Sequence, residues 1–239
     1  MSPALSVVVP VKDEAENAAP LAREIAQALR AAPNHEIIFV DDGSTDGTAE
    51  RLTALRSEIP ELRVLRHARN LGQSRAIRSG VMAARGDIIA TLDGDGQNDP
   101  ADLPKLLALL SAQDGLAMVS GVRVKRKDTA SRKIASRLGN GFRNWWLQDG
   151  AADTGCGIKV FKRDAYLALP YFDHQHRFLI ALMRREGHGV GFLPVGHRAR
   201  TAGRSKYTNF GRMLVSVNDM LGMRWLMRRH RGPAGTEEL

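Results

Sequence analysis

Four short runs rich in β-branched residues, each followed by a stretch with helical spacing, set the strongest limit on how this chain can fold. Leu5–Val11 (LSVVVPV) and residues 36–40, 62–65 and 88–92 read as buried strands. Between them, residues 16–31 space Leu21, Ile25, Ala28 and Leu29 along one helical face. Helices are also predicted over 47–59, capped by Asp46, and over 74–84. Such alternation predicts an α/β, mostly parallel sheet with helices on both faces. Ligands of such sheets sit outside the carboxyl ends of the strands. Two runs end there on acidic clusters, Asp41-Asp42 and Asp93-Gly94-Asp95.

The pattern continues with a helix over 102–110, a strand over 118–122, a strand over 154–161, a helix over 178–186 and a strand over 191–195. The last helix, 209–229, places Phe210, Met213, Leu214, Val217, Met220, Leu221 and Trp225 on one stripe. Asp99, before Pro100, reads as a helix cap. The single cysteine, Cys156, rules out an intramolecular disulfide or a multi-cysteine zinc site. Between its glycines it reads as packing and not as a nucleophile. His176, with Arg177, is a candidate for a place near the acidic clusters, although a histidine beside a helix start reads more often as a cap or a solvated side chain. Met1 to Ala4 lack the basic region of a signal peptide, and no run of 18 apolar residues is present to span a bilayer.

Charge is divided unevenly. Residues 1–110 hold 12 Lys+Arg and 16 Asp+Glu, and residues 111–239 hold 23 and 10, so the second half carries a net +13 of the overall +9. A basic half suggests a partner surface dense in phosphates, either nucleic acid or an anionic leaflet. Residues 123–143 hold eight Lys+Arg against one acid, Asp128, and lead into Trp145-Trp146. Ile134, Leu138 and Phe142 share a face there, with Arg132, Lys133, Arg137 and Arg143 around it. The last helix repeats the scheme through Trp225, Arg228, Arg229 and Arg231. Amphipathic helices with Trp and flanking cations suit the headgroup boundary, so a membrane surface is expected as partner and no nucleic acid.

Asp93-Gly94-Asp95 is a candidate metal site, its alternative a solvated turn whose carboxylate caps the next helix. Carboxylates two apart at a strand end can converge on one cation, and Gly94 lets the backbone turn tightly. Hard oxygen ligands favour Mg²⁺ or Mn²⁺, which complete their shell with water and substrate phosphates. A calcium-loop reading of DGDGQND fails, because the loop glycine and terminal Glu are missing.

These segments resemble a known family. LSVVVPVKDEAEN, VDDGSTDGT and TLDGDGQNDP, in that order, resemble glycosyltransferase family 2, whose fold is the Rossmann-like GT-A type. SGVRVKRKD, SRKIASRLGN, DTGCGIKVFKR and AGRSKY resemble its dolichyl-phosphate mannosyltransferase branch and bacterial polyprenyl-phosphate relatives. The resemblance covers roughly residues 5 to 225. It implies a nucleotide-sugar site of Pro10, Val11, Glu14, Asp41, Asp42, Asp93, Gly94 and Asp95, with Asp42 and Gly43 shaping a turn. Lys12 stands where the family has an aromatic or small residue, so a phosphate or solvent contact is expected in place of base stacking. Arg69-Asn70-Leu71-Gly72-Gln73 matches the loop beneath the diphosphate. Asp93, Asp95 and Gln97 would hold Mg²⁺ or Mn²⁺, with Asp95 catalytic.

The same resemblance places Arg123, Arg132, Ser136, Arg200 and Lys206 at the acceptor phosphate. Arginine offers a planar fork to phosphate oxygens. Asp153, opening DTGCG, is a candidate base or orienting carboxylate; its alternative is an N–H acceptor in a tight turn before Gly155. The implied activity is inverting transfer of a sugar from a UDP- or GDP-linked donor to a polyprenyl phosphate of undecaprenyl or dolichyl type. It would take place at the cytoplasmic face of the inner or plasma membrane, as a peripheral enzyme or beside a separate transmembrane partner. The alternatives are a family 2 enzyme with a saccharide acceptor in cell-envelope synthesis, and an inactive nucleotide-binding relative. Residues 1–205 are expected to form the catalytic domain, including an interface helix over 129–147. Residues 206–239 are expected to form a basic amphipathic helix and tail.

Overall fold

The computed structural model describes residues 3–32, 34–124, 141, 143–151, 153–199 and 209–229, the last stretch by its backbone alone up to 216. Seven strands form one sheet: β1 (Leu5–Val11), β2 (His35–Asp41), β3 (Leu62–Arg66), β4 (Ile88–Thr91), β5 (Leu116–Arg123), β6 (Lys159–Lys162) and β7 (Gly189–Val195), in the order β3-β2-β1-β4-β6-β5-β7. β1 pairs in parallel with β2 and β4, β2 with β3, and β5 with β7. Only β6 is reversed, running antiparallel to both β4 and β5. The expected, mostly parallel α/β sheet is therefore present, with one strand turned against the rest.

All seven residues of β1 are buried, because helices cover both faces of the sheet. Side chains alternate along it. Val7 and Val9 pack with Leu21 and Ile25 of α1 (Ala18–Ala28), Leu52 of α2 (Thr48–Ala54) and Leu106 of α4 (Leu103–Ala112). Val8 faces the other way, toward Ile77 and Val81 of α3 (Gln73–Ala83), Tyr166 of α5 (Arg163–Leu167), Ile180 and Met183 of α6 (Leu179–Arg185) and Met223 of α7 (Asn209–Arg228). At about 1.5–3 kcal/mol per buried aliphatic or aromatic side chain, these two layers are the main favourable term in stability.

Three expectations change. The helix predicted over 47–59 ends at Ala54 and continues as a 3₁₀ turn over Leu55–Ser57. The strand predicted over 154–161 begins only at Lys159. Residues 153–158 are a loop pressed onto its neighbours, where a Cβ at Gly155 would meet the Arg123 guanidinium at 2.8 Å and one at Gly157 would overlap the Asp93 carboxylate. The third concerns α7. Met223 is buried, with Met220, Leu226 and Met227 packed beside it, whereas Val217, Leu221 and Trp225 point to solvent. The stripe read from the sequence therefore mixes two faces, and the core takes the methionine side.

Residues 143–147 are helical. Trp146 lies against α7: its Nε1 donates to the Met220 carbonyl at 3.3 Å, and Arg224 Nη1 donates to the Trp146 carbonyl at 2.7 Å. Its neighbour Trp145 stays 69% exposed. Most of the expected 129–147 interface helix lies outside the described residues, as does the boundary expected after residue 205.

Candidate active site

The carboxyl ends of β1, β4, β5 and β7 lie along one edge of the sheet, and the reversal of β6 brings its first residue, Lys159, to the same edge. β1 is where the connections diverge toward β2 on one side and β4 on the other, the place where such sheets open a crevice. The Asp93–Asp95 loop sits there. Gly94 passes so close to β1 that a Cβ would lie 2.8 Å from the Pro10 carbonyl, and Val11 is buried beneath it.

Asp93 is held from several sides. Gln73 Nε2 donates to its Oδ1 at 2.8 Å, and its backbone N–H donates to Asn98 Oδ1 at 3.1 Å. Burial and the nearby Asp95 carboxylate push the Asp93 acid above its ordinary range, against the pull of Lys159, Gln73 and Arg123. Asp95 Oδ1 accepts the Gln97 N–H at 3.1 Å. Among the described residues no cluster of three or more His, Cys, Asp or Glu could hold a metal, so the carboxylates here are a pair. Asp93, Asp95 and the Gln97 amide would supply oxygen donors only, a set whose chemistry fits Mg²⁺ or Mn²⁺. Gly157 leaves the space that the Asp93 carboxylate fills.

Lys159 lies behind this loop. It is buried, its Nζ donates to the Cys156 carbonyl, and burial lowers its pKa against the opposing influence of Cys156, Asp93 and Asp153. The available sequence signal for it was a lysine opening a short apolar strand, two residues after Gly157. Cys156 is a fully buried thiol in the core with its pKa raised by burial, in line with a packing role.

Beyond the ends of β1 and β2, residues 12–15 are laced to residues 43–48. Asp13 N–H donates to Ser44 Oγ at 2.8 Å, Glu14 N–H to Thr48 Oγ1 at 3.0 Å and Ala15 N–H to Asp46 Oδ2 at 3.0 Å. Glu14 Oε2 accepts from Asn17 at 2.6 Å. Lys12 Nζ donates to the Gly43 carbonyl at 3.0 Å, a backbone contact where a phosphate or solvent contact was expected. Asp41 is fully buried; one oxygen accepts the Ser44 N–H at 3.0 Å and the other faces Arg66 Nε at 3.3 Å. Asp42, expected in the nucleotide site, makes its contacts to a neighbouring loop. It accepts from Leu71 N–H and Gly72 N–H, both at 2.8 Å, and contacts His67 Nδ1 at 2.7 Å. Its carboxylate is spent on pinning the loop that presents Gln73. That loop also lies on Gly43, where a Cβ would come within 2.7 Å of the Arg69 carbonyl carbon.

At the end of β5, Arg123 and Asp153 meet in a two-pronged ion pair, Nε to Oδ2 at 2.7 Å and Nη2 to Oδ1 at 2.8 Å. Asp153 also accepts the Arg123 N–H at 3.2 Å and the Gly155 N–H at 3.2 Å. The guanidinium is held above its ordinary pKa: burial opposes its charge, but Asp153 outweighs that cost. Both oxygens of Asp153 are thus committed to Arg123, which does not suit a proton acceptor; the tight-turn alternative describes its contact with Gly155. Arg132, Ser136, Arg200 and Lys206 lie outside the described residues. The described chain reaches Ala199 beside the Asp93–Asn98 loop, with Arg198 N–H donating to the Gln97 carbonyl at 2.9 Å and Asn98 bridged to His197.

His176 is not the solvated side chain or cap expected. It is partly buried, its Nδ1 is 2.7 Å from Ser74 Oγ, and its backbone N–H donates to the same oxygen at 3.2 Å. Burial, with Arg177, Lys159 and His174 nearby, drives its pKa down to about 3.

Residues 6–169 match the family profile described as Glycosyl transferase family 2. The chain is 34% identical over 229 residues to dodecaprenyl-phosphate galacturonate synthase of Rhizobium johnstonii, covering 94% of this chain and 67% of that protein. It is 34% identical over 207 residues to undecaprenyl-phosphate 4-deoxy-4-formamido-L-arabinose transferase of Yersinia enterocolitica, covering 85% of this chain and 62% of that one. The chain thus spans about two thirds of the length of these relatives. In fold it is similar to glucosyl-3-phosphoglycerate synthase of Mycobacterium tuberculosis, solved with Mn²⁺, UDP-glucose and phosphoglyceric acid, at TM-score 0.74 and 20% identity over 93% of this chain and 79% of that one. Mannosyl-3-phosphoglycerate synthase of Rubrobacter xylanophilus gives TM-score 0.73 at 17% identity over 98% of this chain and 78% of that one. The sheet is of the GT-A type that the motifs implied. With its nucleotide-end, Asp-Gly-Asp and Asp153–Lys159 segments arrayed on one sheet edge, the chain belongs to glycosyltransferase family 2.

Proposed function

We propose that the protein transfers a sugar from a UDP- or GDP-linked donor to a polyprenyl phosphate, with inversion, at a membrane surface. The observation that carries this is the paired Asp93/Asp95 loop at the sheet's switch point, facing the cationic Arg123. The R. johnstonii and Y. enterocolitica relatives, both named for polyprenyl-phosphate products or acceptors, support the choice of acceptor. In the reaction an acceptor phosphate oxygen attacks the anomeric carbon. The bond from that carbon to the diphosphate oxygen breaks, and its electron pair leaves with the nucleoside diphosphate.

Mg²⁺ or Mn²⁺ bound by Asp93, Asp95 and Gln97 would neutralise the charge that develops on the departing diphosphate. The remaining work falls to the chain itself. Gln73 fixes one Asp93 oxygen, and Lys159 supplies positive charge behind the carboxylate. Asp153 positions Arg123 by taking its Nε and Nη2, which leaves Nη1 to face the acceptor phosphate. A phosphate is already anionic and needs orientation more than a base. Pro10, Val11, Glu14 and Asp41 would frame the nucleoside, Arg66 moving off Asp41 as it enters.

Among the described residues no helix is long and apolar enough to cross a membrane. Contact with lipid is assigned to Trp145 and to Val217, Leu221 and Trp225, which are spaced four apart on the outer face of α7, with Arg228 and Arg229 at its end. On this reading the enzyme works peripherally, at the cytoplasmic face of the inner or plasma membrane, alone or beside a separate transmembrane protein.

Labelled UDP- and GDP-sugars incubated with undecaprenyl or dolichyl phosphate should give a labelled lipid. That transfer should fail with EDTA and fall on the order of 100-fold or more in Asp95→Ala. Label appearing only in an added oligosaccharide would favour the saccharide-acceptor reading.

A further inference from the structure

The Ser74–His176 pair is built for one purpose that the reaction above leaves unassigned. Ser74 is buried in the first turn of α3, directly after Gln73, whose amide holds Asp93. The turn that carries His176 (Gln175–Arg177) is anchored beneath by Gln175, which is fully buried and joined to Tyr166 Oη at 3.2 Å and to the Pro170 carbonyl at 3.0 Å. His174 and Arg177 on either side reach Asp219 of α7, at 2.9 and 3.8 Å. The imidazole is therefore fixed in place at the edge that carries the acidic loop.

Its tautomer follows from the hydroxyl. Ser74 Oγ already accepts the His176 backbone N–H, and among the described residues its own proton has no other acceptor than Nδ1, 2.7 Å away. With Nδ1 accepting, the ring proton must sit on Nε2. Nε2 has no hydrogen-bond partner among the described residues, nor is it among their buried unsatisfied atoms. The surroundings also oppose a second proton, since Arg177, Lys159 and His174 all bear on the ring. What remains is a neutral N–H donor, oriented by protein on its other side, in a crevice where phosphoryl oxygens gather.

We propose that His176 is a substrate-binding residue whose Nε2–H, set by Ser74, donates to a phosphoryl oxygen at the reacting centre and takes no proton from either substrate. This rests on the reading of the crevice as a nucleotide-sugar and lipid-phosphate site. The oxygen belongs either to the donor diphosphate or to the acceptor phosphate, and kinetics separate the two.

Three variants test it. His176→Gln keeps an N–H near the Nε2 position and should stay within a few-fold of wild type. His176→Ala should lose roughly 10- to 100-fold in kcat/KM, the effect of one hydrogen bond to a charged oxygen. A loss seen as a raised KM for polyprenyl phosphate, with nucleotide-sugar hydrolysis in its absence unchanged, assigns the oxygen to the acceptor; a raised KM for the nucleotide-sugar assigns it to the donor. Ser74→Ala, which frees the tautomer but keeps the ring, should lose less than His176→Ala. A Gln variant as inactive as the Ala variant, or an Ala variant as active as wild type, would overturn the proposal. A readout independent of turnover is the ¹⁵N spectrum of the histidine ring in the whole protein. A neutral Nε2–H tautomer that persists from pH 8 to pH 5 is expected. An Nδ1–H tautomer, or protonation near the ordinary histidine value, overturns the inference even if lipid glycosylation is confirmed. A thermal shift with UDP or GDP and Mn²⁺ reports separately on the underlying reading of the site.

Discussion

Asp93 shows how narrowly a single residue in this crevice is confined. Its carboxylate lies against the Cα of Gly157 so closely that any Cβ there would overlap it, while Gln73 grips one oxygen. Gly157→Ala should therefore displace the carboxylate without disturbing the sheet, at a cost of about 1–3 kcal/mol in overpacking. The expected result is a melting temperature lowered by a few degrees and Mn²⁺-dependent UDP or GDP binding weakened roughly tenfold or more, measured by calorimetry. The Asp-Gly-Asp loop itself was legible in the sequence, because two acids directly after a buried run have nowhere to go but the sheet's edge. Lys159 was not, and for His176 the sequence offered nearness to the site but not its pairing with Ser74. One reaches the site only because β6 is reversed, and the other only because a 3₁₀ turn, distant in sequence, folds back onto Ser74. The contacts of Asp42 were hidden for a similar reason: the loop it pins follows a full strand later.

At the scale of elements, helical periodicity gave the strands and helices of the first half closely, since each buries one continuous face. It failed on α7, whose apolar residues occupy two faces and so give no single stripe. Met220, Met223, Leu226 and Met227 attach the helix to α6 and its neighbours, and Val217, Leu221 and Trp225 are left outside. Replacing Leu221 and Trp225 by Glu should leave the melting temperature within a few degrees, because neither is buried in the core. The same change should abolish sedimentation with vesicles containing anionic lipid, which wild type is expected to show. Unchanged sedimentation would remove α7 from the contact surface. The DTGCG segment, read as strand, is a loop because its glycines are needed for close approach to Arg123 and Asp93.

The whole molecule is expected to weaken in mild acid, and the sign follows from two buried groups. The His176 pKa falls from an unfolded value near 6.5 to about 3. Below pH 6.5 the unfolded chain takes up a proton that the folded chain refuses, so stability is full above that value and declines toward pH 3. Between pH 7 and pH 5 this is worth at most about 2 kcal/mol. Glu36 adds a later loss. Burial raises its pKa, but Ser6, the Arg85 N–H and Arg63 together hold it lower than usual, so its contribution persists above the ordinary carboxylate range and goes as pH drops through the depressed value. Urea unfolding at pH 7 and pH 5 should show the decline, and His176→Gln should flatten it.

The double-faced α7 has a kinetic meaning for such an enzyme. With its outer flank resting in lipid as proposed, a catalyst fastened through the inner flank of this helix would no longer look for a long-chain acceptor through a volume. It would search a plane, at a fixed height above the headgroups, and its rate would answer to the number of acceptor molecules per unit area of leaflet. Diluting the vesicles at constant lipid composition would then change how much enzyme is bound, but not how fast each bound molecule turns over.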